Sequence, residues 1–122
     1  LFNTHLASDD NGDEGTTQSQ RLREIIDAHA QLPTVIAGDF NDHQRPDIVE
    51  VLNSDQNHDA WSYAQSRSRN GLTHPTKNPY QRLDHLLVPR THTITRVEVS
   101  DTDHSWITLS DHLPVIATIN LA

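Results

Sequence analysis

The chain has 122 residues, a formal net charge of −8 at pH 7, and neither cysteine nor methionine. This length suits one domain with a core of its own, and the absence of cysteine excludes disulfides and thiolate zinc sites. The acidic balance does not supply the cations that general binding of duplex DNA requires, and no apolar run is long enough to span a membrane.

The N-terminal half predicts a strand, a helix and a second strand. Residues 1–6 alternate apolar and polar side chains, as a half-buried strand does. A helix that runs to about residue 31 follows, with Thr16 or Thr17 as its cap and apolar residues at helical spacing. The apolar run at residues 34–37 predicts a short buried strand that ends in a turn.

The C-terminal half predicts one more helix and three strands. Pro46 fits the first turn of the helix, and Trp61 and Tyr63 are expected to close the core after it. The strands are predicted at residues 83–88, 93–99 and 113–121. Alternating strands and helices in a chain without internal repeats indicate a mixed α/β layered fold.

Four short polar clusters lie at the ends of the predicted strands. Their candidate site residues are His5, Asp39, Asn41, Asp84, Asp111 and His112. A side chain at a strand end is fixed by the sheet and open to solvent, so we expect the clusters to form one composite site. Asp, Asn and His together suit a divalent metal and a phosphate ester.

The chemistry of each cluster follows from its residue types. Asp39, just past a buried strand, can orient or deprotonate a water, and Asn41 can donate to a phosphate oxygen without adding charge. Asp111 suits a hard cation such as Mg²⁺ or Mn²⁺, with His112 as a proton carrier or phosphate donor. An ordinary turn at the first cluster and a capped strand start at the second remain the alternatives.

Asp84 lies in an otherwise apolar strand, where an unpaired carboxylate is costly. We predict that it pairs with His112, which would fix the imidazole tautomer and raise its pKa. Pairing with Arg82, or exposure to water, is the alternative. For His5, the alternation of its strand does not decide which face it occupies.

Taken together and in this order, the clusters resemble the C-terminal half of the endonuclease/exonuclease/phosphatase superfamily, which has the DNase I-like fold. The matching segments are residues 3–6, 35–41, Thr73 with 82–84, and 110–115. The resemblance implies a β-sandwich of two sheets flanked by helices. Residues 1–122 would form a single partial domain, about one half of the four-layer αββα domain.

The same resemblance implies hydrolysis of phosphate esters with Mg²⁺ or Mn²⁺, and it implies a role for each residue. Asp39 would position or activate the attacking water, and Asn41 would bind the scissile phosphate. His112, held by Asp84, would contact the phosphate and stabilise its growing negative charge. Asp111 would help to hold the metal.

His5 would lie near the phosphate or the leaving group. The family domain is longer than this chain, and the Asn and metal-binding Glu of its N-terminal half have no counterpart here. Because the chain also opens inside a strand, we interpret it as a fragment or processed product. A missing half, a second chain or self-pairing would complete it, and we expect that the chain is not a stable monomer.

The substrate is less closely defined than the chemistry. Residues 61–83 contain no acid, and Arg82 with its neighbouring cations would line the approach of a nucleic acid. The net acidity instead favours a small or lipid head-group phosphoester, and an ordinary solvated loop is the simplest alternative. A further alternative is a catalytically inactive half-domain that serves as a structural or interaction module.

Overall fold

The computed structural model describes residues 1–8, 13–29, 31–100 and 104–122. In these ranges the helices are α1 (Glu14–Asp27), α2 (Pro46–Leu52) and α3 (Ala60–Tyr63), and a 3-10 helix covers His104–Thr108. The strands are β1 (Phe2–His5), β2 (Ile36–Asp39), β3 (Asn57–Asp59), β4 (Ser66–Arg67), β5 (Asp84–Pro89), β6 (Thr93–Val99) and β7 (Val115–Asn120). Among the described residues, no helix has both the length and the apolar character needed to cross a bilayer.

The first sheet has the strand order β1-β2-β5-β3 and brings three strand ends together. Strand β1 is parallel to β2, whereas β2 and β3 are both antiparallel to β5. The register pairs His5 with Asp39, and Asp39 with Asp84. Three of the predicted site residues therefore lie in one row at one end of the sheet.

The second sheet, of order β4-β6-β7, covers one face of the first. Adjacent residues of β5 point to opposite faces, as strand geometry requires. Leu87 packs with Ile26 of α1 and Ile48 of α2, whereas Val88 packs with Val97 of β6. Helices α1 and α2 thus cover one face of the first sheet and the second sheet covers the other, which confirms the predicted mixed α/β fold.

Helix α1 begins earlier than predicted. Its first residue is Glu14, and Asp13 stands at the cap position without a side-chain hydrogen bond. The predicted capping residue Thr16 instead donates its hydroxyl to Oδ2 of Asp47, at 2.6 Å. The threonine is therefore engaged in a contact between α1 and α2, which local capping rules do not consider.

Strand β3 has no apolar pattern and was not predicted. Its two buried polar side chains are hydrogen-bonded: Asn57 donates to the carbonyl of Thr34 at 2.8 Å, and Asp59 accepts from the backbone N–H of Ser62 at 3.3 Å. The expectation that Tyr63 closes the core is wrong, because this side chain is exposed and stacks on His58.

Candidate active site

The end of β2 brings Asp39 into contact with β1. Gly38 has φ of 145°, and a Cβ atom there would lie 1.8 Å from the carbonyl oxygen of Thr4. Only glycine allows β1 and β2 to approach so closely, since real Cβ atoms do not enter such contacts. Gly38 is thus the residue that permits the row of His5 and Asp39.

Asp39 and Asn41 are joined in one turn. The backbone N–H of Asn41 donates to Oδ1 of Asp39 at 2.9 Å, and Asn41 adopts a positive φ of 45°. Nδ2 of Asn41 donates to the carbonyl of Leu6 at 2.7 Å. An amide nitrogen carries two hydrogens, so one remains for another acceptor, such as a phosphate oxygen.

Two imidazoles flank the other oxygen of Asp39. Nε2 of His5 lies 3.5 Å from Oδ2 of Asp39, and Nε2 of His112 lies 3.6 Å from the same atom. His112 is held from behind, because its Nδ1 is bonded to Oδ2 of Asp84 at 2.7 Å. The predicted pairing of Asp84 with His112 is confirmed.

This arrangement favours the protonated form of His112. Partial burial acts to lower the pKa of His112, but the hydrogen bond to Asp84 and the charges of the surrounding carboxylates together outweigh it. The charges of Asp39 and Asp111 act in the same direction as Asp84. The pKa of His112 therefore lies above the ordinary histidine value.

Thr73 fixes the segment that carries His112 to the first sheet. Its fully buried hydroxyl accepts from the N–H groups of Leu83 and Asp84, at 3.2 and 3.3 Å. Its carbonyl accepts from the N–H of Leu113 at 2.8 Å. The distance between Asp84 and His112 thus depends on one threonine bonded to both of their segments.

The predicted residues share one open cavity of about 720 Å³. Those that line it are His5, Asp39, Asn41, Asp84, Asp111 and His112. His43, Arg45 and His74 line it as well, and sequence reasoning did not select them as site residues. His43 and Arg45 follow Asn41 closely in the chain, and that proximity was the available signal.

Arg82 lies outside this cavity. Its guanidinium is bonded to the carboxylate of Asp59 and lies 3.2 Å from Nδ1 of His85. Nε2 of His85 is in turn 2.9 Å from Oδ1 of Asp42, and its ring stacks on Phe40. Because its charge is engaged within the fold, this placement argues against the substrate-binding role expected for Arg82.

Within the described ranges of the chain, two groups of donor atoms could hold a metal ion. One consists of Asp39, Asp84 and His112, and the other of His74, Asp111 and His112. In each group the ligand atoms lie within 4.8 Å of one another. Asp111, the predicted metal ligand, is the most exposed of these side chains and has Oδ2 3.9 Å from Nε2 of His74.

The chain matches a known protein family over most of its length. The model of the endonuclease/exonuclease/phosphatase family matches residues 2–112. The chain belongs to this family. Among curated proteins, none matches the chain.

Solved structures share the fold. An endonuclease/exonuclease/phosphatase family protein of Bacteroides thetaiotaomicron is 21% identical, with a TM-score of 0.76 over 98% of this chain and 49% of that one. A mannosyl-6-phosphatase of the same organism is 20% identical, with a TM-score of 0.76 over 98% and 50%. A humanized TDP2 of D. rerio is 18% identical, with a TM-score of 0.67 over 97% and 53%. The chain therefore has the DNase I-like fold and spans about half the length of each of these structures.

Proposed function

We propose that the chain hydrolyses phosphate esters by attack of water on phosphorus, with Asp39 and His112 as its central residues. The observation that carries the proposal is the position of Oδ2 of Asp39 between two imidazole Nε2 atoms, one of which is held by Asp84. The Asp39 carboxylate, which can accept a proton from water, thus lies beside the His112 imidazolium, which can donate a hydrogen bond to a phosphate.

Each residue contributes one interaction to this reaction. Asp39 orients the attacking water and accepts its proton through Oδ2, while Oδ1 stays bonded to Asn41. The free N–H of the Asn41 side chain binds a phosphate oxygen. Protonated His112 donates through Nε2 and stabilises the charge that grows on the phosphoryl oxygens, because Nδ1 remains bonded to Asp84. His5, exposed at the rim, lies on the side of the leaving group.

The chemistry of the donor set fits a divalent cation. Mg²⁺ and Mn²⁺ prefer oxygen ligands, and Asp39, Asp84 and Asp111 present carboxylates to one cavity. Asp111 would hold the ion. When bound, such an ion supplies positive charge that polarises a phosphoryl oxygen.

We favour a small phosphoester over nucleic acid as the substrate. Two cations of the acid-free segment 61–83 are engaged in the fold: Arg82 with Asp59, and Arg67 with the ring and carbonyl of Trp61. An acidic chain with these cations engaged has few left to neutralise a nucleic-acid backbone. Binding to DNA at low salt with a steep salt dependence would contradict this preference.

We also propose that the active form contains a second copy of the chain. Strand β1 is an edge of the first sheet and carries His5 at its end, and β7 is an edge of the second sheet. Unpaired edges accept further strands readily. A second copy would extend both sheets and add groups beside the cavity.

The test measures release of p-nitrophenol from a mono- and a bis-p-nitrophenyl phosphate in Mn²⁺. Asp39→Ala and His112→Ala are each expected to abolish hydrolysis, whereas Asp27→Ala and His92→Ala, matched changes outside the cavity, should leave the rate unchanged. Equal rates in all four variants would remove the assignment. Stable, folded protein without any turnover would favour the inactive structural or interaction module.

A further inference from the structure

We propose that His74, Asp111 and His112 form a second metal site, selective for ions that bind imidazole, such as Zn²⁺ or Co²⁺. Their ligand atoms lie within 4.8 Å of one another, and the two imidazole centroids are 4.7 Å apart. Nε2 of His74 is 3.9 Å from Oδ2 of Asp111. A small closure of these side chains would bring all three onto one ion.

In their neutral forms, both histidines have the tautomer that a metal ligand needs, and a bound ion would replace the Nε2 proton of His112. Nδ1 of His74 is 2.9 Å from Oε1 of Gln81, and Nδ1 of His112 is 2.7 Å from Oδ2 of Asp84. The amide oxygen of Gln81 and the carboxylate oxygen of Asp84 can only accept, so in each neutral ring Nδ1 carries the hydrogen and Nε2 keeps its lone pair. Metal-binding histidines are oriented in this way by an oxygen acceptor behind the ring.

The backbone fixes the two segments of the site against each other. The N–H of Thr76 donates to the carbonyl of Asp111 at 2.8 Å, and the hydroxyl of Thr76 donates to the carbonyl of Ser110 at 2.7 Å. The N–H of Leu113 donates to the carbonyl of Thr73 at 2.8 Å. These three hydrogen bonds hold the backbone around His74 and His112 in place. Metal binding therefore has to order little more than the ligand side chains.

The group of His74, Asp111 and His112 differs in its ligand types from the group of Asp39, Asp84 and His112. In that group Nδ1 of His112 and the Asp84 carboxylate already satisfy each other, and carboxylates prefer hard ions. Two imidazoles and one carboxylate instead favour Zn²⁺, Co²⁺ or Ni²⁺ over Mg²⁺. Three protein ligands leave the fourth position of a tetrahedral ion open to solvent.

Occupancy of this site has a consequence for the cavity. The ion would take Nε2 of His112, the atom that faces Asp39. A bound Zn²⁺ would therefore keep His112 from donating to a phosphate, so we expect this ion to inhibit hydrolysis in competition with the substrate. This second effect rests on the proposed function, whereas metal binding itself does not.

The experiment titrates the untagged chain with Co²⁺, followed by its visible ligand-field absorption, and with Zn²⁺ by calorimetry. We expect one equivalent of either metal ion to bind per chain. Loss of an outer-shell partner alone lowers metal affinity about 10- to 100-fold, so His74→Gln and Asp111→Asn should each weaken binding by at least about 10-fold. His92→Gln, which changes a half-buried imidazole outside the cavity, should bind as the wild type does.

Gln81→Ala keeps all three ligands and removes only the acceptor behind His74. It is expected to weaken binding less than His74→Gln does, with circular dichroism showing an intact fold for both. Co²⁺ binding that is unchanged in His74→Gln, or no Co²⁺ binding by the wild type, would overturn the proposal. Neither result depends on turnover, so a failure here is distinct from a failure of the hydrolysis assay.

Discussion

Asp84, the first residue of β5, is bonded to His112, which precedes β7, through Oδ2 and Nδ1 at 2.7 Å. The bond links the first sheet to the segment that leads into the second. It also selects the tautomer of His112 and directs Nε2 towards Asp39, at 3.6 Å. One hydrogen bond thus couples the packing of the sheets to the orientation of the proposed phosphate donor.

Asp84→Asn is expected to lower the pKa of His112 and slow hydrolysis by about 10²- to 10⁴-fold, the usual contribution of a positioned acid or base. The physical reason is the loss of the carboxylate charge and of its hydrogen bond to the ring. NMR titration of the His112 ring and the rate of ester hydrolysis are the measurements. A His112 pKa that stays at its wild-type value would contradict the assigned pairing.

The same bond predicts how stability depends on pH. The folded pKa of His112 is raised, so its contribution is fully present below the unfolded value of about 6.5 and is lost as the pH rises through the folded value. Urea unfolding across this window should show the free energy of unfolding falling with pH in the wild type. The decline should be smaller in His112→Asn, and an equal decline would assign the effect to another group.

Arg82 is expected to act in stability rather than in substrate binding. Arg82→Met would leave the carboxylate of Asp59 buried without its cation, and breaking a buried pair costs about 3 to 5 kcal/mol. We expect Arg82→Met to lower the free energy of unfolding by about 2 to 3 kcal/mol. The loss is smaller than for a fully buried pair because a quarter of the Arg82 side chain is exposed to solvent. The double variant Asp59→Asn/Arg82→Met should recover part of the loss in urea unfolding, with KM unchanged throughout.

Acid titration gives this pair a separate test. Burial acts to raise the pKa of Asp59, but the charge of Arg82, the hydrogen bonds of Ser62 and Arg82 and the charge of His85 together outweigh it and lower the pKa. The contribution of Asp59 is therefore present above the unfolded value of about 3.9 and is lost as the pH falls through the folded value. In Arg82→Met the acid unfolding midpoint should move to higher pH, and an unmoved midpoint would count against the pair.

Gly38→Ala is expected to destabilise the chain by about 3 kcal/mol or more, because the new Cβ would meet the Thr4 backbone and the φ of 145° is strained for alanine. Gly15→Ala is the matched control. Its Cβ would lie 3.1 Å from Cδ1 of Ile48, a side-chain atom that can shift, and 3.2 Å from the carbonyl oxygen of Ala7, whereas the backbone contact at Gly38 is 1.8 Å. The control should stay within about 1 kcal/mol, since alanine favours helices. Equal losses in urea unfolding would show that β1 does not need this approach.

The sequence pattern predicted strands best where apolar and polar residues alternate. The bounds of β6 were predicted correctly from this period, because one face packs on the core. Strand β3 was missed because Asn57 and Asp59 are buried through hydrogen bonds, which leave no apolar trace in the sequence. The order of the strands along the chain did not specify which strands pair in the first sheet, whose order is β1-β2-β5-β3.

The candidate active site, like the fold, could be predicted from the sequence only in part. Polar residues at strand ends could be placed near one another, and the register does align His5, Asp39 and Asp84. The bond of Arg82 to Asp59 spans 23 residues, and no local pattern specifies it. His74 could not be predicted as a site residue, because a single histidine in a loop shows no regular spacing to another ligand in the sequence. It does directly follow Thr73 in the chain.

The chain is expected to associate with itself through strand β7. Strand β7 is an edge of the second sheet, Ile116 on its outer face is 57% exposed, and Leu109 and Leu121, which flank the strand in the sequence, are exposed as well. Burial of such apolar surface against a second copy stabilises it by about 25 cal/mol per Å². We expect light scattering to give a mass above the monomer that falls on dilution, and Ile116→Lys to shift it towards the monomer. Thr118→Lys places the same charge one step along the same face and should shift it less, since no apolar contact is lost. A monomer mass for the wild type at every concentration would show that the chain does not pair with itself.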